Sequence, residues 1–192
     1  GGGGGDGTTY IDNDKDGYGQ NYALGPDCND TNPLIHPNAP ESACNDIDDN
    51  CDTTIDEPET VYFVDTALEN AIRTAISKPT GDILNSDLCS LTSLDANNKG
   101  IVDLTGLEYC TNLTHLYLYY NQISDISSLS NLTKLIRLRI ENNQISNLSP
   151  LSNLTELIEL NLDSNQISDL RPLSNLTKLD FLSLYSNQIS DL

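Results

Sequence analysis

From residue 113 onward, leucine and isoleucine recur in one fixed frame. Leu113, Leu116, Leu118 and Ile123 surround Asn121, and Leu135, Leu138, Ile140 and Ile145 surround Asn143. Leu157, Leu160, Leu162 and Ile167 repeat the frame around Asn165, and Leu179, Leu182, Leu184 and Ile189 repeat it around Asn187. The four asparagines are each 22 residues apart. A looser copy, Leu91, Leu94, Ala96, Lys99 and Ile101, comes before them. The Leu-x-Leu alternation has period two, so each copy predicts a short strand with its leucines turned inward. The Asn turns the chain and can satisfy backbone groups inside the turn. Ile126, Leu148, Leu170 and Leu192 then lead to a convex side filled by Leu129, Leu151 and Leu173, together with Leu132, Leu154 and Leu176. One such coil cannot bury its apolar face alone, so stacking makes the core.

This is the pattern of leucine-rich repeats. The predicted fold is α/β. It is a right-handed leucine-rich repeat solenoid with one short parallel strand per coil and a helical cap at its N-terminal end. For the cap, Thr66-Ala-Leu-Glu69 reads as a capping box. Leu68, Ile72, Ala75 and Ile76 share a helical face. Pro79 and Gly81 end the helix, and a second short helix covers Asn85 to Leu88. The segment from Val61 resembles the cap and repeats of bacterial internalin-like surface proteins, in phrases such as Leu91-Thr-Ser-Leu-Asp and Asn143-Gln-Ile-Ser-Asn. That resemblance implies extracellular recognition or adhesion rather than catalysis.

Charge divides the chain. Its 192 residues carry 9 basic and 29 acidic side chains, a net charge of −20, with a pI near 4.1. Phosphate backbones and anionic membrane surfaces are repelled by such a chain, while hard cations are attracted. Residues 1–60 hold 14 of the acidic side chains and one basic one, Lys15, for a net of −13. The remainder carries −7. The predicted organisation is a Gly-rich linker over 1–10, an acidic metal-binding module over 11–57, a linker and helical cap over 58–90, and repeats over 91–192. The sequence lacks an initiating Met and a signal peptide, and no stretch is long and apolar enough to span a bilayer. It stops at Asp191-Leu192 inside a coil, as a fragment does, or as a chain does whose last coil is covered by another molecule.

The acidic module is small, loop-rich and poor in apolar residues, so metal and disulfides must replace a core. Asp12-Asn-Asp14-Lys-Asp16-Gly17-Tyr18 places carboxylates at alternate positions and a glycine at the sharp turn, as a calcium loop does. Tyr18 offers its backbone carbonyl. Ala23 stands where an EF-hand has its bidentate Glu, so further ligands must come from Asp27 and Asp30, from Asp46, Asp49 and Asp52, and from Asp56 and Glu57. The succession D-x-D-x-D-G-Y-G, D-C-N-D, N-P-x-x-x-P, E-x-x-C-N, D-D-N-C-D, D-E resembles the metal-binding repeat of bacterial surface proteins named after the copper-binding protein MopE. That name implies copper. The side chains favour calcium, because the chain has no Met and His36 is the module's one imidazole.

Five cysteines in an acidic chain rich in Asn, Ser and Thr point to an oxidising, extracellular or cell-surface setting. Proximity in sequence predicts Cys44 with Cys51, and Cys89 with Cys110 on neighbouring coils, leaving Cys28 over. N-x-[ST] sequons at Asn29, Asn112, Asn131, Asn153 and Asn175, and a weaker one at Asn147, are candidate glycosylation sites. Three of them, Asn131, Asn153 and Asn175, recur simply because Asn-Leu-Thr belongs to the repeat frame.

Side chains between the inward leucines face the concave side. Tyr117, Tyr119 and Tyr120 beside Arg137 and Arg139, with Tyr185 further along, form the most contact-like patch, since Tyr and Arg dominate interface hot spots. His36 and His115 lie in different domains and no nucleophile–base pairing is visible, so an enzyme is not expected. The sequence therefore predicts a non-enzymatic extracellular surface protein. Its concave face binds a protein or glycan, or else it is a structural subunit of an extracellular fibre that joins copies head to tail through the N-terminal module and the open last coil.

Overall fold

A computed structural model describes residues 12–15, 17–18, 28–29, 31–33, 35–37, 44, 47–48, 50–53 and 58–190. The chain divides into two compact units, Gly1–Pro58 and Glu59–Leu192.

In the second unit the repeat frame becomes a solenoid. Five three-residue strands, β1 (Ser93–Asp95), β2 (His115–Tyr117), β3 (Arg137–Arg139), β4 (Glu159–Asn161) and β5 (Phe181–Ser183), pair in parallel in chain order. Their register is the 22-residue repeat itself, with Leu94, Leu116, Leu138, Leu160 and Leu182 aligned across the sheet. Each following coil completes the burial of the strand before it. The central leucines of β1 to β4 are at most 1% exposed, whereas Leu182 of β5 is 42% exposed. The opposite wall is made of 3₁₀ turns, Leu107–Tyr109, Ser127–Leu129, Ser149–Leu151 and Arg171–Leu173. Pro150 and Pro172 sit in the first turns of the last two, where their preset φ fits and no N–H is needed. Leu129, Leu151 and Leu173 seal that wall from within.

A ladder of asparagines stitches successive coils together. Nδ2 of Asn121, Asn143, Asn165 and Asn187 donates to the carbonyls of Leu118, Ile140, Leu162 and Leu184 in the same coil. The same amides donate to Ala96, Leu118, Ile140 and Leu162 in the coil before. Their Oδ1 atoms accept the N–H groups of Ile101, Ile123, Ile145 and Ile167. In the first coil Lys99 holds the ladder position and is exposed, and Asn121 Oδ1 also accepts its N–H. The residue before each rung is left-handed: Asn98, Tyr120, Asn142, Ser164 and Ser186 have φ between 52° and 58°.

The cap differs from its sequence reading in two details. Helix α1 (Thr66–Ala75) is capped by Asp65, not by a Thr66–Glu69 box. Asp65 Oδ1 accepts the N–H groups of Ala67 and Leu68, while Glu69 pairs instead with Arg73 at 2.7 Å. The frame moves by one residue because a carboxylate is a stronger acceptor than a hydroxyl at the positive end of a helix. The buried face is Leu68, Ala71 and Ile72, and Ala75 is exposed. The helix stops before Pro79, because Ser77 turns left-handed at φ 58°. Asn85–Leu88 forms a 3₁₀ turn, as expected. Ahead of α1, residues 59–61 pair antiparallel with 83–85.

Candidate recognition face and metal module

Outward side chains of the five strands form the concave face. Its first row is Ser93, His115, Arg137, Glu159 and Phe181, and its second is Asp95, Tyr117, Arg139, Asn161 and Ser183. Just past the strands, Asn97, Tyr119, Glu141, Asp163 and Tyr185 occupy one repeat position in successive coils. The predicted patch is brought together around β2 and β3. The Arg139 guanidinium lies over the Tyr119 ring, 5.1 Å from its centroid, and Tyr120 meets Tyr119 edge-on at 5.8 Å. Tyr120 is exposed although its backbone is left-handed, a conformation an aromatic residue adopts at a cost. Tyr185 stands apart on the last coil, 80% exposed.

The acidic partners of these arginines lie on the same face. Arg137 Nε lies 2.6 Å from Glu159 Oε2, an ion pair between neighbouring strands. The Tyr117 hydroxyl first, and Glu159 next, push the Arg137 guanidinium above its ordinary pKa. Arg139 Nη2 donates to Glu141 Oε1. Glu141 is only 6% exposed, and its Oε2 is buried with no hydrogen-bond partner. Asp163 Oδ1 accepts both the Ser183 hydroxyl and the Tyr185 N–H at 2.6 Å. On β2, the Thr114 hydroxyl gives its proton to the Thr92 carbonyl at 2.9 Å, so His115 Nδ1, 2.9 Å from that oxygen, is the donor between them.

In the first unit the described residues belong to three loops. Asp12 Oδ1 accepts the Lys15 N–H at 2.6 Å, and Lys15 and Gly17 are both left-handed. Tyr18 stacks on the His36 ring at 4.7 Å, which joins the first loop to the second. A Cys28–Cys51 disulfide joins the second to the third. There Asp48 accepts the N–H groups of Asp52 and Thr53 at 3.0 and 2.8 Å, and Asn50 Oδ1 also accepts from Asp52. Of the predicted ligands, Asp12, Asp14, Tyr18 and Asp52 are thus placed on two loops. Asp16, Asp27, Asp30, Asp46, Asp49, Asp56 and Glu57 lie outside the described residues. Among the described residues no three His, Cys, Asp or Glu side chains converge on one point. Cys28, Cys44 and Cys51 are all oxidised, so the module offers no thiolate, and its remaining donors are almost all oxygen. Oxygen donors are the ligand type that hard cations prefer.

Both predicted disulfides are corrected. Cys51 pairs with Cys28 rather than Cys44, and Cys44 and Cys89 are each disulfide-bonded while Cys110 is a free, fully buried thiol. Cys110 stands 22 residues after Leu88 and 22 before Leu132, both fully buried, so it fills an inward core position. Cys89 is one residue out of that frame and only half-buried. Burial, then Glu108, pushes the Cys110 thiol up to about 12. Among the sequons, Asn131, Asn153 and Asn175 are exposed. Asn112 is held, donating to the Cys89 carbonyl and accepting from Lys134, and Asn29 Oδ1 accepts the Thr31 hydroxyl.

Two comparisons agree with this architecture. The leucine-rich repeat family model matches twice, over residues 111–153 and 155–192, and the MopE-type copper-binding model, described as a putative metal-binding motif, matches 27–57. An internalin (inlF) of Listeria monocytogenes is 35% identical over 68% of this chain, with a TM-score of 0.60. This is an internalin-like leucine-rich repeat protein. A second internalin-like structure, the functional domain of InlJ from Listeria monocytogenes, which includes a cysteine ladder, is 31% identical over 71% of the chain, with a TM-score of 0.65. The internalin-like chain spans 46% of the first of these structures and 30% of the second. Among its described residues no helix is long and apolar enough to cross a membrane.

Proposed function

We propose that this is a non-enzymatic surface protein whose repeats recognise a protein ligand on their concave face, in an extracellular setting. The observation that carries the reading is the Tyr117–Tyr119–Tyr120 cluster with Arg139 stacked on it, presented outward by a sheet whose opposite side is almost wholly leucine. Rigid aromatics and arginines on a preformed surface are what interface anchors need. The kinship with internalins supports recognition or adhesion as the role. The oxidised cysteines support a compartment outside the reducing cytosol.

The module before the repeats binds calcium in this reading, as a structural ion. Asp12, Asp14 and Asp52, together with the backbone carbonyl of Tyr18 and the acidic residues around them, supply hard oxygen donors. The family match over 27–57 supports metal binding, and the oxidised thiols favour calcium over copper.

A display of extracellular proteins probed with the labelled full chain tests recognition. Capture is expected to fall at least tenfold for the Tyr117→Ala/Tyr119→Ala double variant and to be unchanged for Lys134→Ala on the flank. Equal capture by all three chains would remove the concave face as the binding surface.

A further inference from the structure

On the concave face, the Tyr119 ring and the Glu141 carboxylate form a cation seat that the protein fills with its own Arg139. We infer that this seat receives an arginine or lysine side chain of the protein partner. The inference rests on the concave face being the recognition surface, and it names what that surface selects.

Three observations converge on Glu141. The first is the unsatisfied oxygen. Glu141 is nine-tenths buried, Arg139 occupies Oε1, and Oε2 meets no donor. A buried carboxylate oxygen without a donor is a costly arrangement, and a second cation or N–H group removes the cost. The second is the neighbouring charge. Glu141 and Asp163 hold the same position in adjacent coils, and the N–H of Asn142 donates to the carbonyl of Asp163 at 2.9 Å. Neighbouring parallel strands run about 4.8 Å apart, and like charges side by side across strands repel. Of the two arginines on this face only Arg139 pairs with Glu141, because Arg137 is held by Glu159. The third is the ring. A guanidinium 5.1 Å from the Tyr119 centroid shows that this aromatic face holds a cation. Tyr120 packs edge-on against Tyr119 and is itself exposed.

The balance of the face selects the sign of the partner. Asp95, Glu141, Glu159 and Asp163 outnumber Arg137 and Arg139, and the whole chain carries −20. Both arginines already face carboxylates, whereas Oε2 of Glu141 receives no hydrogen bond. An anionic partner would have to break both ion pairs. A cationic one needs only Arg139, itself 39% exposed at its side chain, to swing aside and uncover Oε2.

The probe is the peptide acetyl-Gly-Gly-Arg-Gly-Gly-amide, with its Glu counterpart, titrated into the isotope-labelled full chain and followed by NMR. The Arg peptide is expected to shift the Arg139 Nε–H and Tyr119 ring signals. Glu141→Gln should weaken its binding at least tenfold. Arg139→Gln vacates the seat and should tighten binding several-fold, while Arg171→Gln removes the same charge elsewhere and should leave it unchanged. Equal effects of the two arginine variants, binding that persists in Glu141→Gln, or preference for the Glu peptide would each overturn the inference. Failure here with capture still lost in the Tyr117/Tyr119 variant would leave the concave-face reading standing.

Discussion

Asn143 Oδ1 accepts the N–H of Ile123, twenty residues earlier, at 3.0 Å. Its Nδ2 donates to the carbonyls of Leu118 and Ile140, also at 3.0 Å. One side chain therefore closes its own coil and binds it to the one before. Asn143→Ala leaves the Ile123 N–H without a partner inside the solenoid, at about 1–3 kcal/mol, and removes one of two amide donors from each of the Leu118 and Ile140 carbonyls, which keep Asn121 and Asn165. The expected loss is about 2–4 kcal/mol in denaturant unfolding. Solenoids do not always unfold as one unit, so amide exchange gives the sharper reading. The Ile123 N–H should lose protection while the Ile167 N–H, held by Asn187, keeps it. Unchanged protection at Ile123 would show that the ladder is not what holds the coils.

Gly106 marks where the segment ahead of α1 lies against the first full coil. It has φ 99°, and a Cβ placed there would meet the Phe63 ring at 2.6 Å and the Tyr62 carbonyl oxygen at 2.9 Å. Gly106→Ala is expected to cost about 2–4 kcal/mol, from the left-handed backbone and the overlap together. Gly81 is left-handed too, at φ 82°, but a Cβ placed there would meet nothing within 4 Å. Gly81→Ala should therefore cost only about 1 kcal/mol. Equal melting shifts for the two variants would mean that the Phe63 contact contributes nothing.

Asp65 sets the pH response of the cap. Oδ1 caps α1, while Oδ2 accepts the N–H groups of Val102 at 2.8 Å and Asp103 at 3.4 Å, tying the helix to the first coil. Partial burial raises its pKa, but the backbone donors, Val102 foremost, outweigh that and hold it below its ordinary 3.8. The sign follows from linkage. A depressed carboxylate contributes stability that is fully present above the unfolded value and is lost as pH falls through the folded one. Wild type should thus lose cap stability as pH drops below 3.8, and Asp65→Asn should show a flatter profile there. At neutral pH, Asp65→Ala is expected to cost about 1–2 kcal/mol. An identical acid profile for wild type and Asp65→Asn would refute this assignment.

The repeat was legible because its information is periodic. Leu116, Leu138 and Leu160 each recur where burial demands them, and register follows from the 22-residue spacing alone. Cys110 shows how strict that frame is. Its alignment with Leu88 and Leu132 was available in the sequence, yet pairing by nearness put it with Cys89, one residue out of frame. The tyrosine–arginine cluster was legible because residues 22 apart become neighbours. The burial of Glu141 was not, because it depends on how Arg139 folds over the Tyr119 ring, a side-chain choice with no periodic signature. In the acidic module, the stacking of Tyr18 on His36 and the Cys28–Cys51 bond join residues whose separations follow no period.

The calcium reading of the module is tested by removing the ion from the full chain. The described loops are held by the Cys28–Cys51 disulfide, the Tyr18–His36 stack and short side-chain-to-backbone turns, with Ile35 as the one buried apolar side chain among them. An acidic segment with so few apolar residues in its sequence cannot offset the entropy of ordering its loops by burial alone. In the proposed reading, a bound ion that draws the carboxylates together supplies the difference. Limited proteolysis in calcium should spare residues 11–57, and chelation should open cleavage there while residues 61–190 stay intact. Extracellular calcium modules bind with dissociation constants of about 10⁻⁴–10⁻³ M, so protection should appear over that range on titration. Asp12→Asn combined with Asp14→Asn should move the protection to higher calcium by at least about tenfold, since ligand charge sets affinity. Copper added in place of calcium should protect poorly, because the module's cysteines are oxidised and leave no thiolate. Cleavage that is the same with and without calcium would show that disulfides alone hold the module, and protection by copper alone would return the site to the metal its family is named for.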